Sequence, residues 1–537
     1  MNISLESNSS ELDSKWFEID DSKKMSSSRK KKALSKLENY EFTQEKNFLG
    51  YQMTEKLNYK KEYSKYLDIG MNNVGDPFVG GNLTLNTKPV EVEVLRYFAN
   101  LWNNKDRSEP LKKDDFWGYI VSMGCTEANI FALLSGRDYL EGKFLLIDDE
   151  KEKKAKNLSK DLKDIECLID SNLMSSYGTT KSKSKHKFTP IAFYSQDAHY
   201  SIVKAMEVMK IETFVSEASK MGYKCPLSKS DYPVGFSKEY INEDGWPKEV
   251  PSNEDGSIHI PALSKLVEFF ASKGYPILVS FNYGSTFKGA YDDVKGAVKE
   301  LVPILKKYGL YERKIEYKDE KTNTRNGFWF HVDGALGAAY MPYLEEALKQ
   351  KLIKKPNKDY KFPVFDFRIK EVHSISMSGH KWIGSPWPTG IYMSRVKYQL
   401  KPVDDPMYIG SPDTTFAGSR NAFSPLIFWE YLANRSFKDH MADIIKAEEL
   451  TQYTLKKLKA LDPKNKVWIA NSPFSLTIRM KKPSDELIFK YSLSTEELYV
   501  NGEKREYAHI YIMRHTTKKL INDFIKDLEK INYFKGK

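Results

Sequence analysis

The order of apolar and amphipathic stretches predicts an α/β fold built on a mostly parallel sheet covered by helices on both faces. From Tyr66 onward, short apolar runs alternate with helical patterns, the arrangement that strand–helix–strand units require. The polar motifs of the chain follow directly on those apolar runs, at the carboxyl ends where parallel sheets bind ligands. Candidate strands cover 118–121, 144–147, 190–194, 277–281, 328–332, 374–377 and 390–393, and helices fill the gaps, for example 126–140 and 201–209.

The flanking regions differ in texture. Residues 1–65 are polar and rich in Ser, Lys and Glu, and are expected to form a loosely ordered arm ending in amphipathic helical turns. A large domain then occupies 66–424. Inside it, the charged, aperiodic stretches 151–189, 221–255 and 311–326 are expected as surface insertions. Beyond it, a helical pattern at 426–461, strand patterns at 467–470, 474–480 and 509–513, and a helix at 518–531 predict a smaller α+β domain over 425–537.

Composition narrows the class. A hydrophobic fraction of 40% with 9 Trp, 33 Tyr and 29 Phe in 537 residues excludes a largely disordered chain. The net charge of +11, from 84 Lys plus Arg against 73 Asp plus Glu, is a mild excess over this length. Much of it sits at Lys30, Lys31 and Lys32 and in 151–163, which read as solvated surface rather than a nucleic-acid groove. Cys125, Cys167 and Cys225 lack CxxC spacing, which argues against a disulfide framework or a zinc site and fits a reducing compartment. The N-terminus shows no basic-then-apolar signal, and no apolar run is long enough to span a bilayer. A soluble, cytoplasmic protein without nucleic-acid or membrane partners is expected.

The chemistry concentrates in a few segments. Ser378-Gly379-His380-Lys381 places a lysine in an apolar, small-residue run. Desolvation lowers a lysine's pKa, and only the free amine attacks an aldehyde to form a Schiff base. Gly124-Cys125-Thr126-Glu127 opens a helix after a strand; free N–H groups and the Thr126 hydroxyl suit an anion there, although Thr126 alone reads equally as an ordinary helix cap. Asp197-Ala198-His199-Tyr200-Ser201 sets an imidazole at a strand end, where it can lie on an aromatic ligand or merely cap a loop. Gly284-Ser285-Thr286 offers hydroxyls to a phenolate oxygen, as any polar turn would. Asp333 ends the apolar run Phe328-Trp329-Phe330-His331-Val332, which is costly unless the carboxylate meets a cation or donor. A protonated pyridine nitrogen is one such cation and a neighbouring Arg or Lys another; Ala335, two residues on, leaves room for a flat ring. Together these form a phosphate turn, a stacking histidine, a hydroxyl turn, a pyridinium acid and a Schiff-base lysine.

In that order the motifs resemble those of the group II pyridoxal-phosphate-dependent amino-acid decarboxylases, and within them the bacterial histidine decarboxylase and plant serine decarboxylase branch. The loop from Tyr408 to Gly418-Ser419-Arg420-Asn421 is similar to the family's tyrosine-bearing loop and its Gly-Ser-Arg-Asn signature. The resemblance runs from about Tyr66 to the C-terminus. It implies fold type I (aspartate-aminotransferase-like), pyridoxal 5'-phosphate (PLP) as cofactor, and a homodimer with shared active sites. By position, it implies that Lys381 carries the Schiff base, His199 stacks on the ring, Asp333 binds the pyridine nitrogen and Thr286 lies by the phenolic oxygen. Gly124, Cys125, Thr126, Ser378 and His380 surround the phosphate, and Tyr408 reaches the partner's site as proton donor. Ser285, Cys125 and Gly334 depart from the family's usual Thr, Gly and Ala.

The expected reaction is decarboxylation of an L-amino acid to its amine and CO2, with histidine first and an aromatic amino acid next as substrate, and serine as a smaller choice. An aminotransferase or desulfurase would share the lysine and aspartate without the Tyr408 loop. An aldehyde synthase is favoured when that tyrosine is replaced by an apolar residue, and a non-catalytic scaffold would not be expected to keep Lys381, Asp333, His199 and Tyr408 together.

Overall fold

In the computed structural model, which describes residues 14–19, 24–55, 57–146, 186–317, 322–402 and 407–535, seven strands form one mixed sheet in the order β1-β9-β8-β7-β4-β2-β3. They are β1 (Phe116–Val121), β2 (Ile191–Tyr194), β3 (Glu212–Thr213), β4 (Ile277–Asn282), β7 (Phe328–Asp333), β8 (Val372–Ser378) and β9 (Gly390–Arg395). Strands β2, β3, β4, β7 and β8 pair in parallel, whereas β9 runs antiparallel to β8 and to β1. The fold class read from the sequence is therefore the one found. β1, β4, β7, β8 and β9 are buried along their whole lengths, as strands covered on both faces must be. The register sets Asn282 beside Asp333 and Asp333 beside Ser376, so three carboxyl-terminal strand ends lie side by side.

Several expectations fail for identifiable reasons. The run at 144–147 is no strand in its described part: Leu145 makes one isolated bridge to Leu400, and the Phe144 ring stacks on Tyr317 at 4.4 Å instead. The helical pattern at 426–461 splits into Phe423–Ala433 and Phe437–Leu461, because Ser436 and Asp439 form a capping box that starts a new helix. In the C-terminal region a three-stranded antiparallel sheet holds β10 (Thr477–Lys481), β12 (Glu503–Tyr511) and β11 (Ser494–Val500) in that order. Left-handed φ values of 53° at Trp468 and 57° at Phe474 interrupt the extended runs expected at 467–470 and 474–480.

Two of the expected surface insertions contribute to the core, while residues 151–185 of the third lie outside the described residues. Trp246 and Val250 in 221–255 are fully buried, as is Ile315 in the hairpin of β5 (Arg313–Glu316) and β6 (Thr322–Arg325). Within the supposed loose arm, Leu49, Gln52, Thr54 and Tyr63 are buried. Leu49 N–H donates to the Tyr491 carbonyl at 3.1 Å and its carbonyl accepts from Tyr511 N–H at 2.7 Å. The Ser27–Glu45 helix, with Ala33 its single buried residue, and the short helical turns Lys60–Tyr63 and Ser64–Asp68 at the end of the arm match the expectation. No helix among the described residues is long and apolar enough to cross a membrane, and no His/Cys/Asp/Glu group among them could hold a metal.

Candidate active site

At the aligned strand ends lies a cavity of about 240 Å³, lined among others by Thr126, His199, Thr286, Asp333, Ser378 and Lys381. It thus gathers residues from segments spread over more than 250 positions of the chain. Cys125, Ala335 and His380 line it as well. Tyr408 does not: it is 82% exposed.

One end of the cavity is built for an anion. The Cys125–Leu140 helix starts there with no side-chain cap on its first N–H groups, leaving donors and the positive end of the helix dipole free. Its N-cap, Gly124, has φ of 72°, and a Cβ at this position would lie 2.7 Å from His380 Cε1, so only glycine fits. The buried Ser378 Oγ has no hydrogen-bond partner, which is costly unless a ligand oxygen meets it. His380 is pushed down to about 4 by burial and by the adjacent Lys381 cation, so it stays neutral near pH 7. Uncapped N–H groups, an unpaired hydroxyl and a glycine-only approach are the donor set that a phosphate ester needs.

The other end holds Asp333, 6% exposed. Its Oδ2 accepts from Asn129 Nδ2 at 2.8 Å and its Oδ1 from Ala335 N–H at 3.1 Å. Asn129 is locked in this orientation. Its Oδ1 accepts from Ser376 Oγ at 2.6 Å and faces His331 Nε2 at 3.0 Å; because a carbonyl oxygen only accepts, the imidazole proton belongs on Nε2. His331 Nδ1 lies 2.9 Å from Ser374 Oγ, and burial pushes this histidine down to about 4. The Cys125 thiol sits 3.0 Å from Ser376 Oγ and 3.4 Å from Asp333 Oδ1. Burial first, and the Asp333 charge second, raise its pKa well above the usual value, so it is a neutral thiol. Its side chain therefore faces the acid, and only its backbone N–H faces the anion end. Gly334, a departure noted above, also has a local cause: a Cβ there would meet Ala338 Cβ at 2.5 Å.

Between these ends, burial lowers the Lys381 pKa while Asp333 partly restores it, which makes the free amine more accessible than in an exposed lysine. Burial likewise lowers the His199 pKa against the opposing Asp333 charge, and Ser201 N–H donates to its Nδ1 at 3.2 Å, fixing the ring. The sequence did not single out Asn129, His331 or Ser376. Asn129 lies one helical turn beyond Cys125, and that i, i+4 spacing was the available signal.

Comparison with known proteins gives the same picture. A pyridoxal-dependent decarboxylase conserved domain matches residues 245–467. The crystal structure of L-methionine decarboxylase from Streptomyces sp. 590, in complex with L-methionine methyl ester, superposes with a TM-score of 0.84 and 36% identity, covering 97% of this chain and 98% of that one. Serine decarboxylase 2 of Oryza sativa subsp. japonica is 24% identical over 476 residues, covering 88% of this chain and 73% of that protein. Histidine decarboxylase of Solanum lycopersicum is 25% identical over 495 residues, covering 91% of this chain and 86% of that protein.

Proposed function

Since the chain belongs to the pyridoxal-phosphate-dependent amino-acid decarboxylases, we propose that it decarboxylates an L-amino acid with an uncharged side chain, methionine first and histidine second, through Lys381. The observation that carries this reading is the single cavity in which an anion cradle, a buried lysine and a three-sided acid niche face one another. When bound, PLP supplies the sink for the electron pair left on Cα as CO2 departs.

The protein's part is binding, orientation and proton control. Lys381 holds the cofactor's aldehyde carbon. The N–H groups at Gly124, Cys125 and Thr126, with Ser378 and His380, hold the phosphate. Asp333 would bind the pyridine nitrogen, and its donors Asn129, Ala335 N–H and the Cys125 thiol aim it. The neutral imidazole of His199 covers one face of the ring, Ala335 leaves space at the other, and Thr286 sits by the phenolic oxygen. Tyr408 would return a proton from its Oη to Cα, reaching in from a second copy of the chain in a homodimer; its exposure and its absence from the lining of its own cavity support that arrangement.

The substrate class follows from charge. Among the described lining residues, Asp333 and Lys381 are the one acid and the one amine, both committed to the cofactor, and no arginine or second acid joins them. A charged substrate side chain would be desolvated there without a partner, which is costly. Methionine leads histidine because the methionine decarboxylase likeness is stronger and spans nearly the whole chain.

Purified holoenzyme should release CO2 and 3-methylthiopropylamine from methionine. Borohydride should trap the cofactor on a peptide containing Lys381, and Lys381→Ala should lower turnover by at least about 10⁴-fold. Undiminished amine release by that variant would refute the role of Lys381, and faster turnover of histidine or serine would reassign the substrate.

A further inference from the structure

We propose that the strap formed by residues 48–55 and 57–63, together with Arg514, is a clamp that positions Lys381. This inference rests on the reading of Lys381 as the residue that holds the cofactor and deepens it.

Lys381 lies in a turn between β8 and β9, so the carbonyls that follow it have no strand partner. All three are held from elsewhere. The Trp382 carbonyl accepts from Arg514 Nε at 2.9 Å and from Thr54 Oγ1 at 3.1 Å. The Ile383 carbonyl accepts from Arg514 Nη2 at 2.7 Å, and the Gly384 carbonyl accepts from Tyr59 Oη at 3.0 Å. Trp382 and Ile383 are each 1% exposed, so these carbonyls cannot turn to water instead. The strap presses directly on the turn: Gly384 has φ of 85°, and a Cβ there would lie 2.9 Å from Leu57 Cδ2.

The strap is itself fixed. Leu49 pairs with Tyr491 and Tyr511 as described, Glu55 N–H donates to His515 Nδ1 at 3.2 Å, and Tyr63 Oη donates to Glu430 at 2.9 Å. Arg514 stands 4.8 Å over the Tyr431 ring. Segments at opposite ends of the chain thus converge on one turn. Four rotatable bonds separate the Lys381 backbone from its amine, and each gains freedom if the turn loosens. Fixing three successive carbonyls removes that source of misplacement, and a small displacement of a reacting group costs far more in rate than in stability.

The test uses the full chain reconstituted with PLP. The readouts are the PLP dissociation constant, the pH midpoint of the visible absorbance of the lysine-linked cofactor, and the melting temperature of the cofactor-free protein. Arg514→Gln should weaken PLP binding about tenfold, the loss expected for charge-assisted hydrogen bonds, and should move the pH midpoint. Arg514→Lys should recover part of both. Tyr59→Phe, which removes one hydroxyl and folds in any case, should weaken binding about threefold. In a Lys381→Ala background Arg514→Gln should leave PLP affinity unchanged, because the clamp acts through Lys381. A lower melting temperature with unchanged affinity and pH midpoint overturns the clamp, as does an equal loss of affinity in the Lys381→Ala background. Absence of borohydride-trapped cofactor at Lys381 in the unaltered enzyme instead overturns the reading on which the clamp rests.

Discussion

Asp333 and Tyr408 are assigned to opposite ends of one reaction, and the fold treats them in opposite ways. Asp333 is 6% exposed, with a donor on each oxygen and an orienting group behind one of those donors. Tyr408 is 82% exposed, and its backbone carbonyl accepts from Asn82 Nδ2 at 3.5 Å. Yet the root of its loop is as firmly buried as the acid. Arg420 pairs with Glu91 and donates to the Ile120 carbonyl at 3.1 Å and the Gly75 carbonyl at 3.0 Å. Thr414 Oγ1 donates to the buried Asp76. A firm base under an uncommitted tip suits a side chain whose working contacts belong to another subunit, whereas the electron sink must be complete before any substrate arrives.

That contrast is broken most easily at the tip. Tyr408→Phe should lower amine production about 10²- to 10³-fold, the usual weight of a general acid, while PLP affinity and melting temperature stay at the unaltered values. If the tip serves a partner, Tyr408→Phe and Lys381→Ala chains refolded together should complement each other. An equal mixture gives half heterodimers with one intact site each, hence about a quarter of the unaltered activity. No recovery above either variant alone would return Tyr408 to its own subunit or remove it from the reaction.

The same contrast explains what could be read from residues alone. The motifs at strand ends were readable because the carboxyl end of a parallel strand is a fixed address: once 277–281, 328–332 and 374–377 are strands, Asn282, Asp333 and Ser378 must cluster. His331 was quoted within a motif but given no role, and Asn129 was not singled out, since hydrogen-bond direction emerges only when both partners are placed. The strap was missed altogether. Its contacts leave no local trace, since Thr54 and Tyr59 meet partners 328 and 325 positions away. Trp246 was lost inside a charged stretch for a similar reason: one buried anchor with its indole N–H on the Tyr223 carbonyl at 2.9 Å leaves no periodic trace. The departure at Cys125 was placed at the phosphate because its backbone is there, while its side chain points along the helix to the acid.

At the buried end, Asn129→Ala tests whether the niche tunes the sink. It removes a 2.8 Å donor from Asp333 and unpairs Ser376 and His331, so PLP affinity should fall about ten- to thirtyfold. The absorbance of bound cofactor should shift as well. An unchanged affinity and spectrum would mean that Asp333 is held adequately by Ala335 N–H and the Cys125 thiol.

A gentler probe of the same end is pH. His331 is pushed down to about 4 by burial, below the 6.5 of an unfolded histidine, so between those values the unfolded chain binds the extra proton and stability is lost as pH falls. Comparing the cofactor-free chain with His331→Gln by denaturant unfolding isolates this group. The stability difference, unaltered minus variant, should drop by about 1.4 kcal/mol between pH 7.5 and 5.5. The buried acids Asp292 and Glu448, each raised to about 7 by burial, gain protons in the folded chain and act in the opposite direction. Being common to both proteins, they cancel in the difference. A pH-independent difference at His331 would place that imidazole in contact with water, and would remove the dry niche on which the orientation of Asn129 depends.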